Sequence, residues 1–179
     1  MIGLVIRRAR VQDAAVIAAV RIDSWRATYR GVIPDAYLEG MRVDDSTALW
    51  TRVLSAASDK TSVFVAEMDG AVVGFAAGKA LDEPRFGLDA ELAAIYLQPD
   101  AQRAGIGRRL VNMVADAHQS QGATGLIVWV IATNKAARQF YEQLGAELLI
   151  EQSFTWDGLD LVEAGYGWRD LNALLEACK

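Results

Sequence analysis

The sequence predicts an α/β or α+β domain with a mixed β-sheet, and three observations carry this prediction. Two Asp-Gly pairs, Asp69-Gly70 and Asp157-Gly158, each separate two apolar, strand-like runs, which is typical of tight hairpins. Between the two hairpins, strand and helix patterns alternate, as they do around parallel strand pairs. The run 126–131 is continuously apolar rather than alternating, which is typical of a strand buried on both faces. Hairpins on both sides of an alternating middle indicate a mixed sheet.

The individual elements follow from hydrophobic periodicity and from turn residues. We expect Asp13 to cap the first long helix, which continues to Trp25, and Gly145 to end the helix 134–144 as a left-handed cap. Residues 81–88 contain a proline and a glycine and are expected to form a loop. The predicted order is strand 4–7, two or three helices from Ala14 onwards with one opened by Pro34, strands 61–67, 71–76 and 91–97, a helix from 110 to near 122, strand 126–131, helix 134–144, strands 147–156 and 159–168, and a short helix from Asp170.

Composition narrows the class of protein. The 179 residues are 53% hydrophobic and show no repeat, low-complexity tract or linker, so residues 1–179 are expected to form one domain. The net charge of -5 argues against nucleic acid as a partner and is compatible with a cationic acceptor such as an amine. The longest apolar run near the start is too short for a bilayer, and no cleavage-like region follows Arg7-Arg8, so neither a membrane span nor a signal peptide is expected. Cys178 has no partner for an internal disulfide, which favours a cytoplasmic setting.

The segment 98–110 has the features of a phosphate-binding turn. It follows a strand, contains Gly105 and Gly107 one residue apart, and opens a helix. Glycines let the backbone turn tightly and approach a ligand, and a helix start offers unpaired N–H groups and the positive end of a dipole. Three arginines add positive charge: Arg103, Arg108 and Arg109. This combination suits a pyrophosphate, although an ordinary glycine-containing surface turn is the simpler alternative.

The pattern of this turn distinguishes between nucleotide motifs. A dinucleotide fingerprint requires a third glycine where Leu110 stands, and the GxxxxGK run of nucleoside triphosphatases is missing from the sequence. What remains, from Gln102 to Gly107, reads Q-x-x-G-x-G and resembles the acetyl-CoA motif of the GNAT acetyltransferases. The predicted order of strands and helices resembles the GNAT fold as well, over nearly the whole chain.

A second segment, 133–145, resembles the N-x-x-A-x-x-F-Y-E-x-L-G run of the same family. Asn134 is a suitable helix N-cap, and Tyr141 follows about two turns later, so both side chains face the same way. Ala146 departs from the pattern, since an aromatic residue often stands there in the family. That position serves packing, so the departure does not affect the functional expectation.

The resemblance implies a GNAT-type fold: a mixed, mostly antiparallel central sheet flanked by helices in a single domain. It also implies acetyl-CoA as cosubstrate, with no metal, and a backbone that splays from the next strand near residues 95–97 so that pantetheine can pair with it. The cofactor-binding positions that it implies are Ile95, Tyr96, Leu97, Gln102, Arg103, Ala104, Gly105, Ile106, Gly107, Arg108, Asn134, Ala137 and Tyr141.

Two residues are catalytic candidates by the same resemblance. Tyr141 is the candidate acid that protonates the departing thiolate, and Glu91 is the candidate base acting through water. Both have a simpler alternative: Tyr141 as a half-buried aromatic residue and Glu91 as a strand-end carboxylate in solvent. Asn134, a cofactor-binding candidate, could likewise be a helix cap only. Glu67, Asp82, Glu83 and Asp89 are poorer base candidates. His118 is expected to be a bystander, and the lack of a second histidine or a cysteine pair in the sequence argues against a metal site or a nucleophilic triad.

The acceptor is expected to contact the variable parts of the chain. Trp25 and Tyr29, four residues apart on one helical face, together with Tyr37 and residues 81–88, are candidates for its pocket. Phe154, Trp156 and Trp168 are candidates for its other side or for a subunit contact, since a homodimer is common in the family.

The functional hypothesis is an N-acetyltransferase that moves an acetyl group from acetyl-CoA to a primary amine of a small molecule or peptide, by direct attack in a ternary complex. Two alternatives remain open. One is a non-catalytic acyl-CoA sensor, and the other is acetylation of protein N-termini or of an aminoacylated RNA, of which low basicity disfavours the RNA version.

Overall fold

A computed structural model describes residues 3–56, 58–102 and 104–179. They form one seven-stranded sheet with the order β1-β2-β3-β4-β5-β7-β6, in which β4 and β5 run parallel and the other described neighbours run antiparallel. The predicted mixed, mostly antiparallel sheet is therefore confirmed. The elements are β1 (Leu4–Arg8), α1 (Ala14–Tyr29), α2 (Asp35–Gly40), α3 (Val43–Ser55), β2 (Thr61–Met68), β3 (Ala71–Arg85), β4 (Leu88–Leu97), α4 (Ile106–Ser120), β5 (Leu126–Ile131), α5 (Lys135–Gln143), β6 (Glu147–Trp156), β7 (Leu159–Trp168) and α6 (Leu171–Ala177), with 3₁₀ turns at Val11–Asp13 and Pro99–Ala101.

The two Asp-Gly hairpins are confirmed, and their backbone angles explain why these residues stand there. Asp69 and Gly70 have φ of 52° and 86°, and Asp157 and Gly158 have φ of 49° and 78°. Positive φ at both central residues matches the twist of the flanking strands, and Asp-Gly adopts it readily. These turns fix the register of β2 with β3 and of β6 with β7.

The prediction of a loop over residues 81–88 is wrong. β3 continues to Arg85, β4 already begins at Leu88, and the turn between them is formed by Phe86 and Gly87. The register passes from Ala80–Ala90 directly to Arg85–Leu88, so residues 81–84 form an irregular stretch of strand. Because proline cannot donate a ladder hydrogen bond, Pro84 is tolerated in such an irregular stretch. The proline therefore marks an irregular stretch within β3, and the glycine marks a two-residue turn, in place of the expected loop.

Three details of the helical region also differ from the sequence prediction. α1 extends to Tyr29, beyond the predicted end at Trp25. Asp13 precedes α1 without capping it, because its carboxylate accepts the Arg10 N–H at 2.6 Å and pairs with Arg7. α3 had no specific prediction; Trp50 is its anchor, with its ring centroid 5.2 Å from that of Phe75.

The core lies in two layers, one on each side of the sheet. α4 buries Leu110, Val111 and Val114 against one face, while α1 buries Ile17 and Ala18 on the other. Full burial of each large aliphatic side chain contributes about 1.5–3 kcal/mol, so the packing of α4 and α1 fixes both helices on the sheet. This arrangement places the end of α1, the start of α4 and the start of α5 around the carboxyl half of β4.

Candidate active site

The sheet is split between its two parallel strands. β4 pairs with β5 only from Ala90–Leu126 to Leu92–Val128, after which the strands diverge. On the β3 side, the register passes from Leu92 to Ala94, so Ala93 is an unpaired bulge residue in the described sheet. A bulge bends its strand and increases the local twist, which directs the rest of β4 away from β5. The divergence expected near residues 95–97 is thus present in the structure.

A cleft of about 930 Å³ fills this split and extends to the starts of α4 and α5. Most of the sequence-predicted binding residues line it: Trp25, Tyr29, Ile95, Tyr96, Leu97, Gln102, Gly105, Gly107, Arg108, Asn134, Ala137 and Tyr141. Ala104 is exposed beside the cleft, and the side chain of Ile106 is buried in the core, so Ile106 can offer only its backbone to a ligand. Arg103 lies outside the described residues. Two segments separated in sequence by about 30 positions therefore face one cavity.

The glycine turn at the mouth of the cleft is open to an anion. Gly105 precedes α4 with φ of 77°, a left-handed conformation that favours glycine, and a Cβ there would meet no described atom within 4 Å. A Cβ on Gly107 would lie 3.3 Å from the Phe140 ring, so glycine at 107 lets α4 approach α5. The first-turn N–H groups of α4 have no partner within the helix, and the exposed Arg108 side chain adds positive charge beside them. Backbone donors, a dipole and a guanidinium therefore converge at one end of the cleft.

The start of α5 forms the opposite wall. The Asn134 side-chain oxygen accepts the Ala137 N–H at 3.2 Å, so the predicted N-cap is confirmed. Its side-chain nitrogen donates to the Tyr29 hydroxyl at 3.3 Å. Asn134 is therefore more than a helix cap, because it also joins α5 to α1 across the cleft.

Tyr141 presents a neutral phenol to the interior of the cleft. Its side chain is buried, and its ring packs beside Tyr166 and edge-on to Trp168, with centroid distances of 6.2 and 5.9 Å. Burial raises the pKa of Tyr141 well above its ordinary value, and the nearby phenols of Tyr96 and Tyr29 add to this rise. The hydroxyl consequently keeps its proton at neutral pH and can donate it.

Residues 94–97 of β4 follow the bulge and have no partner on the β5 side among the described strands, and we call them the open half of the strand. Side chains of α1 hold this open half in place. Trp25 Nε1 donates to the Tyr96 hydroxyl at 3.0 Å, and Ser24 Oγ donates to the Leu97 carbonyl at 3.0 Å. Burial raises the pKa of Tyr29 to about 12, so this phenol is neutral as well. The sequence predicted a backbone role for Tyr96 and none for Ser24. Both hydrogen bonds join residues more than 70 positions apart, so no local sequence pattern could predict them.

Glu91 lies on the paired half of β4, two residues before the bulge. It is not among the described residues that line the cleft. Its side chain is 19% exposed and lies opposite Lys79, with 3.9 Å between Lys79 Nζ and Glu91 Oε2. Burial raises the pKa of Glu91, while Lys79 and Arg85 oppose the rise. Glu91 is therefore not a freely solvated carboxylate, and it lies outside the lining of the cleft.

The other singled-out residues have packing roles. Trp156 packs on both Trp25 and Tyr37, with centroid distances of 5.0 and 5.4 Å. Trp168 lies in the core below Tyr141, and its Nε1 donates to the Leu144 carbonyl at 3.1 Å. His118 is buried in α4, 2.8 Å from Ser62 Oγ, far along the helix from the glycine turn.

Across residues 3–56, 58–102 and 104–179, no three histidine, cysteine or acidic side chains gather as metal ligands would. Within those same ranges, no helix is both long and apolar enough to cross a membrane.

A parallel strand pair that splits at a bulge, with an anion-accepting turn at one end and a buried phenol beside the split, is the arrangement that the family resemblance of the sequence implies. The comparison with protein families gives the same class. The family model described as "Acetyltransferase (GNAT) family" matches residues 18–146. The chain belongs to the GNAT acetyltransferase family.

Curated relatives and solved structures resemble the chain over nearly its full length. It is 37% identical over 171 residues to the uncharacterised N-acetyltransferase YuaI of Bacillus subtilis, covering 94% of this chain and 95% of that protein. It is 31% identical over 169 residues to the probable N-acetyltransferase Rv2775 of Mycobacterium tuberculosis, covering 90% and 91% of the two chains. The fold is similar to that of the PaiA N-acetyltransferase of Thermoplasma acidophilum, a structure in complex with coenzyme A, with a TM-score of 0.74, 22% identity, and coverage of 90% and 98%.

Proposed function

We propose that residues 1–179 act as one domain that transfers an acetyl group from acetyl-CoA to a primary amine of a small molecule or peptide, by direct attack in a ternary complex. One observation carries this proposal: the split between β4 and β5 faces the glycine turn at one end and the Tyr141 phenol beside it, in a chain of the GNAT family. The coenzyme A in the PaiA structure supports the choice of cosubstrate.

The residues present fit acetyl-CoA. The open turn from Gly105 to Arg108, with Gln102 beside it, suits the pyrophosphate, because its backbone donors have no partner within the helix. The edge of β4 over residues 95–97 lacks a strand partner on the β5 side, so its polar groups can pair with the amides of the pantetheine arm. Asn134 and Ala137 lie on the facing wall, and Arg103 and Ala104 belong to the proposal through the motif alone.

The chemistry needs one proton to leave the amine and one to reach the sulfur. The amine nitrogen attacks the thioester carbonyl carbon, and a backbone N–H near Leu97 stabilises the charge that develops on the oxygen. The C–S bond then breaks while the C–N bond remains as the amide. Tyr141 donates its proton to the departing thiolate, and the proton of the amine leaves through a water held by Glu91. Proton transfer from solvent restores Tyr141.

The experiment compares wild type, Tyr141→Phe and the control Tyr166→Phe across a panel of primary amines, with free thiol as readout and acetyl-CoA affinity from calorimetry. We expect Tyr141→Phe to lower kcat by about 10²–10⁴-fold with little change in acetyl-CoA affinity. Tyr166 is fully buried and bonded to Arg138, so its phenylalanine variant should lose stability but keep kcat. Equal kcat in wild type and Tyr141→Phe would contradict the role of Tyr141. No acetyl-CoA binding by wild type would overturn the whole proposal.

The position of Glu91 outside the cleft lining favours one second candidate, a non-catalytic acyl-CoA sensor. A sensor needs the cofactor cleft but no base. Tight acetyl-CoA binding with no thiol release on any amine would favour this candidate over the enzyme.

A further inference from the structure

A second cavity adjoins the cleft on the α1 side of the sheet and has a volume of about 240 Å³. It shares part of its wall with the cleft, namely Trp25, Trp129, Val130 and Ile131. An occupant of this cavity therefore lies directly beside the split, where the acetyl group is proposed to be held. Its volume equals roughly eight water molecules in the liquid, which is the size of a small metabolite rather than of a folded partner.

Aromatic side chains make up half of the residues that line this cavity. Trp156 packs against Trp25 with 5.0 Å between the centroids, and Phe154 lies beside it on β6. The Trp129 indole lies over Gly165, where a Cβ would come within 2.8 Å of the ring. Glycine at 165 thus lets the Trp129 ring lie flat on the sheet. Such walls favour a flat or apolar body and also accept a cation against the rings.

Two charged side chains of opposite sign complete the cavity. The Arg21 guanidinium lies 5.0 Å from the centroid of the Trp25 ring, and Glu163 is half-buried and accepts a hydrogen bond from Gln152 at 2.9 Å. Within residues 3–56, 58–102 and 104–179, neither charge has an oppositely charged side chain within 4 Å. Nearby on the same face of the sheet, the Arg85 guanidinium covers Trp129 at 4.8 Å.

We propose, on the basis of the function proposed above, that this cavity binds the acceptor and that the acceptor is a small α-amino acid with an apolar side chain. Its ammonium group faces Glu163, its carboxylate faces Arg21, and its side chain lies between the aromatic walls. A simple cationic amine would pair with Glu163 but be repelled by Arg21, and a neutral amine would leave both charges unpaired. A zwitterion satisfies both. Its ammonium group first releases one proton to water, and the free α-amine nitrogen then attacks the thioester carbonyl carbon.

The test uses three acceptors with one apolar body and different charges: L-leucine, L-leucinamide and 3-methylbutylamine. Transfer from acetyl-CoA is followed by thiol release in wild type, Arg21→Gln, Glu163→Gln and the control Asp160→Asn, which removes a charge from the exposed side of β7. Wild type should prefer leucine over the two compounds without a carboxylate by about tenfold or more in kcat/KM. Arg21→Gln should abolish this preference while still acetylating 3-methylbutylamine.

The remaining outcomes separate this inference from the proposed function. Glu163→Gln should lower kcat/KM for all three amines by about tenfold, with acetyl-CoA affinity unchanged, and Asp160→Asn should behave as wild type. A wild type that binds acetyl-CoA but prefers 3-methylbutylamine, or acetylates none of the three, overturns the amino-acid acceptor alone. Retention of the leucine preference in Arg21→Gln, confirmed folded by circular dichroism, overturns it too. Failure to bind acetyl-CoA overturns the proposed function instead.

Discussion

The two halves of β4 differ in how their backbones are paired: the first half is held inside the sheet, and the second half borders the cleft. From Ala90 to Leu92 the strand lies between β3 and β5, and its backbone forms ladders on both sides. From Ala94 to Leu97 it is paired on the β3 side only, and α1 side chains hold it from above. One bulge residue, Ala93, separates the halves. The comparison shows that a binding cleft can be made inside a continuous sheet by interrupting one ladder, without a separate lid or loop.

Deleting Ala93 is expected to have the largest effect, because it removes the distinction between the halves. Because Ala93 is the extra residue of the bulge, its deletion keeps the pairing of residues 94–97 with β3 but removes the bend, so that β4 can continue its ladder with β5. We expect no measurable acetyl-CoA binding, because the split is closed, and a change of only about 1 kcal/mol in the free energy of unfolding. Urea denaturation and calorimetry measure the two, with Ala93→Ser as the control that keeps the chain length. Near-normal binding by the deletion variant would show that the bulge does not make the cleft.

Leu92→Ala tests the paired half. Leu92 is 2% exposed and packs in the core below α4, so its truncation should cost about 2–5 kcal/mol of unfolding free energy. Leu92 also borders the inner end of the cleft, but its truncation keeps the backbone pairing on both sides, so the KM for acetyl-CoA of the remaining folded enzyme should rise only severalfold. A large rise in KM with little loss of stability would show that the two halves are not separable in this way.

Tyr96→Phe tests the open half and should give the reverse pattern at a smaller scale. The variant leaves Trp25 Nε1 without its partner at 3.0 Å, which should cost about 1 kcal/mol of stability. Since Trp25 and Tyr96 both line the cleft, kcat/KM should fall more than stability would suggest. Thermal melts and steady-state kinetics measure both quantities. Unchanged kinetics would mean that the open half needs no side-chain support from α1.

Replacing His118 tests the packing against β3 beside the bulge, and its effect on the free energy of unfolding should be the smallest of the four. The imidazole lies against Gly78, which pairs with Leu92, and burial lowers the pKa of His118 below 6.5. The unfolded chain therefore binds a proton more readily, so the free energy of unfolding should be complete above about pH 6.5 and fall as the pH drops below it. Urea denaturation from pH 7.5 to 5 should show this slope in wild type and lose it in His118→Gln. Equal slopes in the two proteins would assign the pH dependence to carboxylates.

The glycine turn and the helix cap of the proposed cofactor side could be predicted from the sequence, because their signals are local. Gly105 is required by a left-handed backbone, and Asn134 caps the helix that it begins, so each follows from its own segment. The proposed acceptor side could not be predicted in the same way. Glu163 on β7 and Arg21 on α1 line one cavity only in the folded chain, and neither stands in a pattern that marks a site. The proposed base shows the same limit: the family resemblance indicates Glu91 by its place on the strand, but only the register reveals Lys79 opposite it.

The length of β4 between the bulge and the glycine turn determines how far a ligand bound at the turn can extend into the sheet. Four residue steps separate Ala93 from Leu97, and at about 3.3 Å per residue this is about 13 Å of extended chain. Since the anion-accepting turn begins where β4 ends, the length of the open half sets how deep a chain held at the turn can reach into the sheet. Lengthening the open half by two residues would keep the alternation of faces and place the reactive end of the same ligand short of Tyr141. The number of residues in the open half of β4 thus sets the length of ligand that fits between the glycine turn and Tyr141.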